Sequence, residues 1–149
     1  MAEIDFCNLA GQPLPKALAA LLEPLVAEGG RAVLLTGSAE RLESLNVALW
    51  TYSPGSFLPH GSAADGHAER QPVWLTTREE NPNGASLLVL LDDAEAADPD
   101  AFARCVFLFD RSSPEIRELA RERWRRWREA GHRLRYLEYG PEGWRSGAG

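Results

Sequence analysis

The sequence predicts an α/β fold, a Rossmann-like three-layer sandwich with a mainly parallel central sheet. Two observations carry this. Short runs such as "RAVLLTG", "SLLVLLDD" and "CVFLFD" are apolar almost throughout, the composition of strands buried on both faces. Between such runs lie segments whose apolar residues recur at helical spacing, and strands alternating with helices build a parallel sheet covered on both sides. The 149 residues suit one compact core, and no internal repeat divides them. A single α/β domain is expected over residues 1–140, with residues 141–149, "PEGWRSGAG", as a flexible C-terminal tail.

Each element follows in order. Residues 3–9, "EIDFCNL", alternate as a first strand. In "QPLPKALAALLEPLVAEGG", Leu18, Leu21, Leu22, Leu25 and Val26 fall at helical spacing, and Gly29–Gly30 marks the stop. "RAVLLTG" is a buried strand. Ser38 then caps a second helix, where Leu42, Leu45 and Leu49 share one stripe. "SPGSFLPHGSAADGHAERQ" is a loop rich in Pro, Gly and Ser. "PVWLTT" is a strand, "REENPNGA" a turn-rich connection and "SLLVLLDD" the most apolar strand. "AEAADPDAFAR" reads as a short helical crossover before the strand "CVFLFD". Residues 112–131 form a long helix, capped by Ser112 or Ser113, with Pro114 in its first turn and Gly131 at its end. "RLRYLEY" alternates as a last strand.

Several function classes are disfavoured. Lys16 is the one lysine, and Pro15 rather than glycine stands directly before it, so no Walker A loop exists; G-x-G-x-x-G is also missing. Asp92–Asp93 resemble the acidic end of a Walker B strand, which carries little weight without a phosphate loop. His60, His67 and His132 show no metal-ligand spacing, and Cys7 and Cys105 sit inside apolar runs as buried thiols. No nucleophile, base and oxyanion hole assemble, so neither an enzyme nor a cofactor is expected. The N-terminus has no basic region and no long apolar core, and no run is long enough for a membrane span, so the expected location is the cytoplasm.

Charge is divided unevenly. Residues 1–110 hold 6 Lys+Arg against 16 Asp+Glu, whereas residues 111–149 hold 10 arginines against 6 glutamates. Much of that arginine lies in "ARERWRRWREAG", residues 120–131. At 100° per residue this helix has three faces. Ile116, Leu119, Ala120, Trp127 and Ala130 form the packing stripe, and Arg123 also points inward. Glu115, Glu118, Glu122 and Glu129 form an acidic face. Arg117, Arg121, Arg125 and Arg128 form a basic face with Trp124 at its edge. Like charges stacked at i,i+4 cost a few tenths of a kcal/mol per pair, which helix stability alone does not favour. An arginine ladder beside an indole suits a carboxylate with an apolar neighbour, such as an acidic peptide terminus. The same pairing suits single-stranded nucleic acid, and direct binding of that ligand is the alternative reading. The acidic remainder of the chain favours the peptide.

Two segments, "LARERWRRWREAGHRL" and "ALWTYSPGSFLPHG" (residues 48–61), together with the order of elements, resemble the chi subunit family of bacterial DNA polymerase III. The resemblance implies a Rossmann-like fold without nucleotide-hydrolysing motifs and a non-catalytic accessory role in the replisome. Such a subunit bridges the clamp loader to the single-stranded-DNA-binding protein (SSB), captures that protein's acidic, phenylalanine-ending C-terminal tail, and binds a small subunit, psi. It meets DNA indirectly. The resemblance places tail binding on Arg121, Trp124 and Arg125, where the family usually has Tyr and Lys at the last two, with Arg128 one turn further on. It places psi binding on Trp50 and Phe57, with Pro59 and His60 beside them; Tyr52 and Leu58 add large apolar side chains to the same loop.

Overall fold

A computed structural model describes residues 2–51, 60–62 and 66–146, with the side chains at positions 50 and 51 outside that description. Its eight strands are β1 (Glu3–Asn8), β2 (Ala32–Leu35), β3 (Gly61–Ser62), β4 (Val73–Thr76), β5 (Leu87–Leu91), β6 (Arg104–Phe109), β7 (Arg133–Gly140) and β8 (Gly143–Ser146). They form one sheet in the order β3-β4-β2-β5-β6-β1-β7-β8. Every neighbouring pair is parallel except β7 with β8.

Three helices cover the sheet: α1 (Leu14–Ala27), α2 (Ala39–Thr51) and α3 (Pro114–Glu129). Strand alternation sorts the core into two layers. Cys7, Leu34, Val89 and Val106 pack with Leu18 and Leu22 of α1 and with Leu45 and Leu49 of α2. Ile4, Phe6, Leu88 and Phe107 lie on the opposite face, under Ala120 and Trp127 of α3. The expected three-layer α/β arrangement is therefore present. β2, β4 and β5 are buried along their whole length, which is why they read as unbroken apolar runs.

Local chemistry sets the helix ends. Ser38 Oγ accepts from the Arg41 amide, 3.1 Å, at the start of α2. Ser113 Oγ accepts from the Ile116 amide at the start of α3, and Pro114 occupies the first helical position. Gly131, at φ 93°, turns the chain out of α3 into β7, a conformation glycine takes without the Cβ clash.

The structure departs from the expectations at three places. The crossover expected as a helix within "AEAADPDAFAR" is a single 3-10 turn, Pro99–Ala101, because Pro99 lacks the amide that would extend a helix backward. Gly61–Ser62, read as loop, forms the short edge strand β3. The expected tail is also corrected: Gly143–Ser146 is β8, in a hairpin with β7. Gly143, at φ 99°, closes that hairpin opposite Gly140, and Trp144 Nε1 donates to the Ala17 carbonyl, 3.0 Å, anchoring it on α1. Residues 147–149 lie outside the described residues.

Candidate functional site

The basic helix α3 sits over a cluster of aromatic rings. Phe6, at the centre of β1, meets the Trp124 ring edge-on at 5.0 Å and the Trp127 ring at 5.7 Å. Trp127 is buried, in the core position expected of it; Trp124 is half-buried at the margin of the helix. Phe6 thus turns one strand residue into the common floor beneath both indoles.

Beside Trp124 a groove of about 620 Å³ opens between α3 and β7. Phe6 and Phe109 floor it. α3 contributes Arg117, Ala120, Arg121 and Trp124; β7 contributes Leu134, Arg135 and Tyr136. Arg111, on the connection between β6 and α3, also lines it. Among the described residues the lining includes no carboxylate. The volume lies within the ~300–1,000 Å³ of small-ligand sites, and apolar lining with a few placed cations suits an anionic ligand with an apolar part.

The four arginines and tryptophan singled out on α3 do not all meet here. Arg121 and Trp124 line the groove, whereas Arg125 and Arg128 are exposed and lie outside its lining. Arg121 and Arg125 are equally exposed, with side chains 67% accessible, and each has only a loose helix-surface partner: Glu118 at 3.8 Å and Glu129 at 3.9 Å. Such solvated pairs contribute little and leave the guanidinium donors available. Phe6, Phe109, Arg111, Arg117, Leu134 and Tyr136 come from four separate stretches of the chain. Of these, Arg117 already shares the basic helix face in the sequence; the others join the site through the sheet order.

Two buried networks hold the walls. Arg123 is 1% exposed; its Nη1 donates to the Ala94 carbonyl, 2.8 Å, and its Nη2 to the Asp93 carbonyl, 2.7 Å. The inward direction read from the sequence is correct, but the partners are carbonyls of the chain after β5. Burial lowers the Arg123 pKa from its ordinary value. Arg126 pairs with Glu95 on the same connection. On β1, the Asp5 carboxylate, 4% exposed, accepts from Arg135 Nε and Nη2 of β7 at 3.1 and 2.9 Å and from Arg104 Nη2 of β6 at 2.6 Å. Burial raises the Asp5 pKa, and the bonds from Arg135 and Arg104 more than reverse this, leaving it below the ordinary carboxylate value. Near Arg111, the Tyr136 hydroxyl accepts from Asn8 Nδ2 at 3.1 Å and donates to Glu138 Oε2 at 3.2 Å.

The second expected surface is largely outside the described residues. Phe57 and Pro59 lie there with Tyr52 and Leu58, as does the side chain of Trp50. His60 is buried, its Nε2 3.3 Å from the Asn46 carbonyl oxygen on α2. Burial pushes both thiols up, Cys105 to about 12, so neither is a thiolate near neutral pH. A smaller crevice of about 250 Å³ lies at the carboxyl ends of β1, β5 and β6, where open α/β sheets bind ligands. Asp92 and Asp110 line it, and Arg41 Nε is already paired with Asp92 at 2.8 Å, an arrangement unsuited to a phosphate. No helix among the described residues is long and apolar enough to cross a membrane.

Residues 1–135 match the model of the family described as DNA polymerase III chi subunit, HolC. A protein of Rickettsia prowazekii (strain Madrid E), "Probable DNA polymerase III subunit chi", is 34% identical over 97 residues, which are 65% of this chain and 59% of that protein. The match therefore spans less than two thirds of the relative's length. With the family model covering nearly the whole α/β domain, the chain belongs to the DNA polymerase III chi subunit (HolC) family.

Proposed function

We propose that this chain is a non-catalytic accessory subunit of the DNA polymerase III holoenzyme, acting in DNA replication to link the clamp loader to SSB by holding the acidic C-terminal tail of that protein. The observation that carries the reading is the groove between α3 and β7: arginines around an aromatic floor, with no carboxylate in its described lining. The tail's terminal carboxylate takes the Arg121 fork, and its aromatic side chain lies against Phe6, Phe109 and Trp124. Arg117 and Arg111 stand along the same groove for upstream acidic side chains. Arg125 and Arg128 add to the positive field that draws the tail in. We assign the psi contact to Trp50, Phe57, Pro59 and His60, on the resemblance alone. The subunit acts in the cytoplasm, at the replisome, and without a cofactor.

The test is a fluorescence titration of the purified chain with a labelled acidic peptide ending in phenylalanine. Saturable binding that Arg121→Ala weakens about thirtyfold or more supports the reading, the equivalent of ~2 kcal/mol for a lost charge-assisted contact. Affinity unchanged by Arg121→Ala would sink it. A single-stranded oligonucleotide titrated in parallel tests the alternative, since indole and arginine also stack on bases.

A further inference from the structure

We propose that an acidic peptide seats in this groove as an added β-strand, hydrogen-bonded to the outer edge of β7 at Leu134 and Tyr136. The proposal rests on the tail-binding reading and specifies how the peptide's main chain is held.

Three consecutive residues of β7 line the groove: Leu134, Arg135 and Tyr136. Consecutive strand side chains point to opposite faces. Leu134 and Tyr136 join the cluster under α3, whereas Arg135 turns to the other face and pairs with Asp5. What Arg135 brings to the groove is therefore backbone, and the groove runs along the edge of the strand itself.

The hydrogen-bond phase of β7 makes that edge usable. The Arg133 amide donates to the Ala2 carbonyl of the chain entering β1, 3.0 Å. In a parallel ladder both polar groups of alternate residues serve the same neighbour, so residues 133, 135 and 137 serve β1. The amides and carbonyls of Leu134, Tyr136 and Glu138 then face outward. The two-residue turn between Gly140 and Gly143 makes them a hydrogen-bonded pair, so Gly140 and, two residues back, Glu138 turn their polar groups toward β8, in agreement with this phase. Pairing with β8 begins at Leu137, and among the described residues no strand pairs with 133–136 on the outer side.

Charge selects the occupant. Arg111, Arg117 and Arg121 line the groove beside this edge, and a strand added there places alternate side chains toward them and toward Trp124. The intervening side chains fall on the face of Arg135, whose side chain is 57% exposed and spends two of its five N–H donors on Asp5. Main-chain bonds supply affinity, and the two sets of side chains read an acidic sequence on both faces.

The experiment pairs an N-methyl scan of the acidic, phenylalanine-ending peptide with amide hydrogen exchange of the full chain. The expected result has period two: N-methylation at alternate peptide positions weakens binding at least tenfold, and the intervening positions tolerate it. Exchange at Leu134 and Tyr136 slows when peptide is added, while Arg133 and Arg135, already turned to β1, do not change. If the peptide binds in an Arg121-dependent way without this alternation and without new protection, strand addition is overturned and tail binding stands. No binding of the parent peptide overturns both. Leu134 and Tyr136 amides already slow without peptide, and unaltered by it, overturn strand addition.

Discussion

The guanidinium of Arg123 lies 4.6 Å from the centroid of the Phe107 ring, so a buried cation on α3 stacks on an aromatic residue of β6. Both of its Nη atoms donate to carbonyls of the chain after β5. One side chain therefore fastens the basic helix to two different parts of the fold, and its charge is compensated by peptide dipoles and a ring face.

Arg123→Ala removes the stack and leaves two carbonyls without their donor. We expect a loss of about 3 kcal/mol or more in unfolding free energy, read from the shift of the urea midpoint. Arg123→Met keeps much of the volume and loses the donors, so it falls between wild type and the alanine variant. A midpoint unmoved by Arg123→Ala would show that the carbonyls find other partners at no cost.

Asp5 of β1 gives a pH-dependent counterpart where β1 meets β6 and β7. Its folded pKa lies below the ordinary 3.8 because Arg135 and Arg104 outweigh the burial of the carboxyl. A depressed carboxylate contributes stability that is complete above the unfolded value and is lost as pH falls through the folded one. The wild-type advantage over Asp5→Asn should thus be constant above about pH 5 and shrink progressively below about pH 4. Urea unfolding of both proteins from pH 7 to pH 2.5 checks this; a difference independent of pH would contradict the assigned pairing.

The two tryptophans of α3 separate stability from binding. Trp127 is in the core under the sheet, so Trp127→Ala should cost about 3–5 kcal/mol in the urea transition. Trp124 is half-buried and faces the groove, so Trp124→Ala should cost less stability and more peptide affinity. Equal effects of both substitutions on both measurements would remove the distinction between core and groove.

Much of this was legible in the sequence. A helix repeats every 3.6 residues, so the faces of α3, the inward turn of Arg123 and the core place of Trp127 follow from spacing alone. Unbroken apolar runs marked β2, β5 and β6 for the same reason. β8 was not legible: its four residues, Gly143–Ser146, lie in a glycine-rich end that reads as a tail, although Trp144 was a sign of packing. The groove was only half legible. Phe6, Phe109 and Tyr136 line one groove with Trp124 because β1 is inserted between β6 and β7, and that order is a property of the whole sheet.

The family resemblance weighs Arg121 and Arg125 alike, and their exposure is the same. Of the two only Arg121 lines the groove, so on the proposed reading its contact with a bound carboxylate would be partly desolvated, whereas Arg125 would act through water. Arg121→Ala should cost ~2 kcal/mol of peptide affinity and retain most of that penalty in 0.5 M salt. Arg125→Ala and Arg128→Ala should each cost under about 1 kcal/mol at low salt and close to nothing at 0.5 M, because a solvated charge is screened within a few ångströms. Titrations of the three variants at two salt concentrations decide the matter. A salt-resistant loss in Arg125→Ala as large as that in Arg121→Ala would move the carboxylate out of the groove and onto the next turn of the helix.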